Sequence, residues 1–141
     1  MTILVIDGQG GRMGRQIVKT VLERFPQEEL LAVGTNSIAT ESMLKGGAQR
    51  AATGENAVVT ACRRADVIIG PIGVVIADAL LGEVTPAMAK AVGQSGAVRI
   101  LIPAGRCETL VAGVGEPAMG VLLDDAMDKL GAVLKERTCR L

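Results

Sequence analysis

The residues with the clearest capacity for chemistry lie near the start of the chain. Residues 6–14 read IDGQGGRMG, in which glycines surround an aspartate, an arginine and a methionine. Glycine has no Cβ, so the backbone can turn sharply there and come close to a ligand. If a helix follows, its first amides point back at the turn and, with the helix dipole, form a site for a phosphate or pyrophosphate. Residues 8–14 are therefore predicted to bind an anion.

The segments on either side of this glycine loop favour a strand before it and a helix after it. Residues 3–6 are apolar and β-favouring, and apolar side chains recur every fourth residue from Met13 to Phe25. Strand, loop and helix are the context that a dinucleotide-binding motif requires. The spacing is G-x-G-G-x-x-G instead of G-x-G-x-x-G. Nucleotide or phosphate binding is the favoured interpretation, and a purely structural turn is the alternative.

Residues 8–16 resemble the cofactor loop of dihydrodipicolinate reductases, a family that binds NADH or NADPH. In that family the corresponding glycines, arginine and methionine lie against the pyrophosphate and nicotinamide. The resemblance implies a set of cofactor contacts here, and the glutamine of the same loop is added to it: Gly8, Gln9, Gly10, Gly11, Arg12, Met13 and Gly14. The catalytic domain of those reductases carries a histidine pair and a lysine, whereas this chain has no histidine. The resemblance assigns no catalytic residue here.

Two further places are candidate contacts for NAD(P) or another nucleotide. Thr35 and Asn36 follow the second predicted strand, where the reductases carry a charged residue that reads the ribose. Both are neutral, so neither an NAD-type carboxylate nor an NADP-type arginine stands there. Gly70 and Pro71 follow the fourth predicted strand, and the glycine suits close approach of the backbone.

A wider resemblance covers almost the whole chain. The runs VIDGQGG, AVGTN, ATGEN, DVIIGPIG, ADALLGE and TPAMA resemble a family of short bacterial proteins known only as a domain of unknown function. That resemblance implies one compact domain over residues 1–141 and no particular substrate.

Other reactive residues have two interpretations each. Asp7 either binds a ligand hydroxyl, amine or metal-bound water, or accepts hydrogen bonds from the loop amides and holds the turn. Glu55 is either a base or part of an ordinary helix start at Thr53. Cys107, beside Arg106, is either a thiol of lowered pKa or, without a histidine to activate it, inert.

Asp78 and Glu83 flank an apolar segment that is predicted to be helical. They are either an acid/base pair in an apolar cleft, or an interface aspartate and a solvated glutamate.

Composition excludes several classes of function. Fifteen basic and fifteen acidic residues cancel, and the chain has one Phe and neither Tyr nor Trp. Without a basic face or stacking aromatics, nucleic acid is not an expected partner. The three cysteines have no metal-binding spacing and suggest a reducing, cytoplasmic setting. The most apolar run, residues 67–81, is too short and too interrupted to span a membrane.

Strands and helices alternate along the whole chain. The predicted strands are residues 2–6, 29–33, 49–52, 67–69, 98–102 and 109–112. Helices are predicted from the glycine loop to residue 25, from a cap at Asn36 or Ser37 to Gly46, over 56–64, from a cap at Thr85 to residue 92, and from Pro117 to a frayed tail at 136–141. This alternation predicts an α/β fold: a three-layer, open, mostly parallel, Rossmann-like sheet of five or six strands in a single domain.

Three functions follow from this interpretation. The first is a binding or regulatory domain for a small phosphate-bearing molecule. The second is a small NAD(P)-linked oxidoreductase that is completed at a subunit interface. The third is a partner-binding domain whose glycine loop is only structural. Homo-oligomers are expected to form through the apolar residues 74–81.

Overall fold

Five parallel strands form one sheet in a computed structural model, which describes residues 1–104 and 109–140. The strand order is β3-β2-β1-β4-β5. The strands are β1 (Thr2–Asp7), β2 (Glu29–Gly34), β3 (Ala51–Thr53), β4 (Val67–Pro71) and β5 (Val98–Ile102). This order is that of the first five strands of the doubly wound dinucleotide-binding fold. The predicted α/β class and parallel sheet are confirmed.

Helices cover both faces of the sheet, as the alternation predicts. They are α1 (Arg12–Arg24), α2 (Ser37–Lys45), α3 (Glu55–Arg64), α4 (Pro86–Gln94) and α5 (Met119–Cys139). Buried side chains of α1, α2 and α5 form one apolar cluster with the sheet, and those of α3 and α4 form a second on the other face. The sheet is therefore the middle of three layers.

Strand β1 lies at the centre because its side chains are apolar towards both faces. Ile3 and Val5 join the cluster under α1, whereas Leu4 and Ile6 join the cluster under α3 and α4. All four are essentially inaccessible to solvent. Such continuous apolar runs are typical of a parallel strand that is covered on both sides.

The strand order reverses direction at β1. The chain proceeds from β1 outwards to β2 and β3, then returns to place β4 on the other side of β1. In open parallel sheets, ligands bind in the crevice at the carboxyl ends of the strands where the order reverses. Here that crevice lies between the ends of β1 and β4, and the glycine loop forms one of its sides.

The capping predictions at Asn36 and Thr85 are confirmed, whereas Thr53 does not cap α3, which follows Gly54 without a side-chain cap. The Asn36 side chain accepts a hydrogen bond from the Ala39 N–H (2.8 Å), and Thr85 does the same for Met88 (3.2 Å). Pro86 occupies the first turn of α4, where a missing N–H costs nothing.

The predicted sixth strand, residues 109–112, is wrong. These residues have no regular structure, and Leu110 is 99% exposed. No described strand pairs with the outer edge of β5, so the β propensity of this apolar run is not satisfied by the sheet. Helix α5 also begins at Met119 instead of Pro117, and it continues through most of the predicted frayed tail, where Arg137 pairs with Asp66 at 3.1 Å.

The prediction of an apolar helix over residues 74–81 is also wrong. A 3-10 turn at Ile72–Val75 is followed by turns in which Asp78, Leu80 and Leu81 all have positive φ. Left-handed residues cannot continue a right-handed helix. Val74 is buried within this chain and Leu81 is 97% exposed, so the segment does not present a continuous apolar face. Strand β4, in turn, extends past the predicted end through Gly70 and Pro71.

Candidate functional site

The glycine loop connects the end of β1 to the start of α1 in a tight turn. The Gly11 N–H donates to the Gly8 carbonyl at 2.9 Å, and Gly11 precedes the helix with φ 71°. Gln9 also has a positive φ, of 48°. The turn therefore leads from the end of β1 directly into the first turn of α1.

The Asp7 carboxylate stabilises this turn by hydrogen bonds to two backbone amides. One carboxylate oxygen accepts from the Gly8 N–H (2.8 Å) and the other from the Gly14 N–H (2.6 Å). Burial raises the pKa of Asp7, and these two hydrogen bonds oppose that rise, while the nearby Glu83 carboxylate adds to it. Both oxygens are engaged by backbone, so the geometry favours the turn-holding interpretation of Asp7.

Three of the four loop glycines are required by packing within the protein. A Cβ on Gly8 would lie 2.7 Å from the Leu80 and Thr35 side chains, and one on Gly11 would lie 2.6 Å from the Ala39 Cα. A Cβ on Gly14 would lie 2.7 Å from that of Asp7. Gly11 and Gly14 therefore let α1 pack closely against α2 and β1, and Gly8 leaves room for the connection between β4 and α4.

Gly10 has no such requirement. A Cβ there would have its nearest neighbour, the Arg12 Cγ, at 4.0 Å, and the φ of Gly10 is not left-handed. The residue is exposed. Among residues 1–104 and 109–140, none accepts a hydrogen bond from the backbone N–H of Gly10, Arg12 or Met13. The outer side of the loop is thus open and offers unpartnered donors.

Glu83 reaches the loop from the connection between β4 and α4. Its Oε1 atom accepts from the Gln9 N–H (3.0 Å), the Thr35 hydroxyl (2.9 Å) and the Asn36 side-chain amide. Partial burial alone would raise the pKa of Glu83, but the three hydrogen bonds outweigh it and lower the pKa. Glu83 is therefore held as a carboxylate at the end of β2.

The connection that carries Glu83 crosses over the glycine loop. It turns back on itself, since the Asp78 N–H donates to the Val84 carbonyl (2.7 Å) and the Val84 N–H to the Ala79 carbonyl (3.1 Å). The Leu80 side chain lies against Gly8. The connection thereby bridges the ends of β4 and β2 across β1.

The structure brings Gln9, Thr35 and Asn36 together around one carboxylate. Asn36 also donates to the Gln9 carbonyl at 3.0 Å, which ties the end of β2 to the loop. The sequence indicates Glu83 only together with Asp78, as an acid/base pair or a solvated glutamate. It does not indicate the position of Glu83 beside Gln9, Thr35 and Asn36. The contact joins residues 74 positions apart, and no local spacing marks it.

Gly70 and Pro71 lie within β4 and not in an open turn. Both are buried, and a Cβ on Gly70 would lie 2.4 Å from the Ile6 carbonyl oxygen. Close packing of β4 on β1 therefore explains this glycine. Contact of Gly70 or Pro71 with a ligand stays a prediction.

The side chains of Arg12 and Met13 diverge. Met13 is partly buried against the apolar cluster under α1. Arg12 is exposed and lines an open groove of about 460 Å³ between α1 and α2, whose other basic residues are Arg15, Lys19 and Lys45. The loop therefore carries positive charge on its helical side.

A larger cavity opens at the same edge of the sheet, beyond β4 and β5. Its volume is about 1070 Å³, and its lining includes Ile72, Pro103, Ala104 and residues 109–117. It lies at the carboxyl ends of the strands, where the fold places ligands.

The remaining candidates offer less for chemistry. Glu55 accepts a hydrogen bond from the Thr85 hydroxyl at 2.7 Å, and Asp78 is exposed. Burial raises the pKa of the Cys62 thiol to about 11, which keeps it protonated. Arg106 and Cys107 lie outside the described residues. Within the part of the chain that the structure covers, no group of His, Cys, Asp and Glu side chains could hold a metal ion.

Comparison with protein families gives one match over nearly the full chain. Residues 2–135 match the family described as a domain of unknown function, DUF3842. The chain belongs to this family. The wider resemblance seen in the sequence is thereby confirmed. A comparison with curated proteins gives no match.

Among solved structures, this DUF3842 protein is similar to a dodecameric FMN-dependent UbiX-like decarboxylase from Escherichia coli O157:H7. The TM-score is 0.49 and the identity 18%, over 93% of this chain and 76% of the other. A likeness this distant assigns neither a cofactor nor an assembly here. Across the described residues, no helix has the length and apolar character needed to cross a membrane.

Proposed function

We propose that this DUF3842 protein binds a nucleotide, of the NAD(P) type or another phosphate-bearing kind, at residues 8–14. The phosphate accepts hydrogen bonds from the unpartnered amides of Gly10, Arg12 and Met13. The positive end of the α1 dipole adds to this attraction.

Gly10 is the observation that carries the proposal. Packing accounts for Gly8, Gly11 and Gly14, but among the described residues no neighbouring atom accounts for Gly10. In dinucleotide-binding loops the second glycine lets the backbone approach the pyrophosphate. An exposed glycine with normal φ, beside free amides at the strand-order reversal, supports the same use here.

A binding or regulatory role is the first form of this proposal. The described residues near the loop include no histidine or thiol, and both carboxylate oxygens of Asp7 accept hydrogen bonds from backbone amides. The second form is a small NAD(P)-linked oxidoreductase that a second copy of the chain completes. The open cavity beyond β4 and β5, lined by the exposed residues 109–117, favours this form.

A thermal-shift panel tests the proposal on the full chain. It contains NAD, NADH, NADP, NADPH, FAD, ATP and inorganic phosphate. At about 100 times its dissociation constant, a ligand adds about 2.7 kcal/mol of stability, which raises the melting temperature by several degrees. We expect at least one nucleotide to do so. No shift with any of them would favour the third function, a partner-binding domain with a structural loop.

A further inference from the structure

A carboxylate stands at the end of β2 although the residues that follow this strand are neutral. Glu83 supplies it from the connection between β4 and α4. Its Oε1 atom accepts from Gln9 (3.0 Å), Thr35 (2.9 Å) and Asn36. No donor from the described residues reaches Oε2. One oxygen is therefore anchored, and the other is available to an outside donor.

A carboxylate at this position has a known role in nucleotide binding. In dinucleotide-binding folds, a carboxylate near the end of the second strand accepts hydrogen bonds from the ribose 2′-hydroxyl. That group normally belongs to the segment after the second strand itself. In this chain Thr35 and Asn36 occupy the position and bind a carboxylate from elsewhere in the sequence.

We propose that Glu83 reads the ribose of the bound nucleotide through Oε2. The proposal rests on the nucleotide-binding function of the glycine loop and narrows its ligand. The ligand carries a free ribose 2′-hydroxyl. A 2′-phosphate would place negative charge against Glu83 and is disfavoured.

The surroundings of Glu83 favour this role over a free surface glutamate. Gln9 belongs to the same loop as the unpartnered phosphate donors, so the ribose and phosphate sites adjoin, as they do in a nucleotide. The alternative is that the ligand accepts the hydrogen bonds that Glu83 accepts in this structure, so that ligand binding displaces Glu83.

Isothermal titration of the full chain with two ligand pairs tests the proposal. The pairs are NADH with NADPH, and ATP with 2′-deoxy-ATP. We expect the ligand with the free 2′-hydroxyl to bind about tenfold more tightly in the pair that binds, which is typical of a hydrogen bond to a charged group. Glu83→Gln should reduce that preference to about twofold or less, because Gln lacks the charge.

Asp78→Asn is the matched control. It removes a carboxylate from the same connection, and Asn tolerates the positive φ of this exposed position. The preference should be unchanged in this variant. Melting curves of both variants establish that each is folded.

Each contrary result has its own meaning. Binding of both members of a pair with equal affinity by the unsubstituted protein would overturn the ribose-reading role and leave nucleotide binding intact. Tighter binding of both members by Glu83→Gln would also overturn it, in favour of displacement. Failure of all four nucleotides to bind would overturn the ribose-reading role, whereas nucleotide binding itself is overturned only if the whole thermal-shift panel also gives no shift.

Discussion

At Gly14 the fold leaves no room for a side chain. A Cβ there would lie 2.7 Å from the Asp7 Cβ and 2.8 Å from the Met43 sulfur. One at Gly10 would have no neighbour closer than 4.0 Å within the part of the chain that the structure describes. We therefore expect Gly14→Ala to lower the free energy of unfolding by about 1–3 kcal/mol. Gly10→Ala should change it by less than about 0.5 kcal/mol.

Urea unfolding of the two variants beside the parent protein measures this difference. Equal destabilisation by both would mean that Gly10 also has a structural role. In that case its freedom from packing could no longer support ligand binding.

Glu83 gives the molecule a defined response to acid. Its three hydrogen-bond donors favour the carboxylate, so its pKa in the folded state is below the ordinary 4.5. The stabilisation from Glu83 is therefore fully present above about pH 4.5 and is lost as the pH falls through the lowered pKa. Asp7, whose pKa is raised mainly by burial, has the opposite dependence, and most of it is common to both proteins because Glu83 is the smallest cause of that rise.

We expect the stability difference between the parent protein and Glu83→Gln to be largest near neutral pH and to shrink below pH 4.5. Chemical unfolding of both proteins at a series of pH values measures it. A difference that stays constant down to pH 3 would contradict an ionised, hydrogen-bonded Glu83.

At the residue scale, the sequence predicts the part of the site that is local. The glycine loop is recognisable because its residues are contiguous and follow an apolar strand. Asp7 is adjacent to it, and the turn-holding alternative was already apparent. The position of Glu83 is not predicted, because it follows a connection with four left-handed residues, of which Asp78, Leu80 and Leu81 are not glycine and only Gly82 is. The sequence pattern does not indicate a left-handed conformation at residues other than glycine.

At the scale of elements, the two side-chain caps differ in what else they do. Asn36 caps α2 and also donates to Glu83 and to the loop. Thr85 caps α4 and, among the described side chains, bonds only to Glu55 beyond its own helix. Asn36→Ala and Thr85→Ala should each lower the free energy of unfolding by about 1 kcal/mol. Only Asn36→Ala should weaken nucleotide binding.

Unfolding curves together with a nucleotide titration of each variant check this pair. Similar loss of binding in Thr85→Ala would show that general destabilisation is responsible. Unchanged binding in Asn36→Ala would exclude the end of β2 from the site.

The strands that the sequence predicts correctly are those that pair with a neighbouring strand in the sheet. β1 and β5 were predicted within a residue of their ends, since buried apolar runs mark such strands. Residues 109–112 have the same composition but lie outside the sheet with Leu110 exposed. Apolar composition makes a segment suitable for a buried strand, but it does not determine whether a neighbouring strand is present to pair with it.

At the scale of the whole molecule, the order of the strands determines where a ligand belongs. The reversal at β1 gathers the glycine loop, the end of β2 and the connection carrying Glu83 at one edge of the sheet. Association into homo-oligomers stays a prediction, and so does a part for residues 74–81 in it. Exposed apolar residues lie at Leu81, Leu110 and Val114. Sedimentation velocity would establish the oligomeric state.

The most direct test of nucleotide binding at the loop compares Gly10→Ala with the parent protein by isothermal titration. The ligand is the nucleotide that gives the largest thermal shift. The account predicts that the parent protein binds it and that Gly10→Ala, with an unchanged melting temperature, binds at least about tenfold more weakly, because the added methyl group blocks close approach of the phosphate. Equal affinity of the two proteins would contradict the assignment of the glycine loop as the binding site.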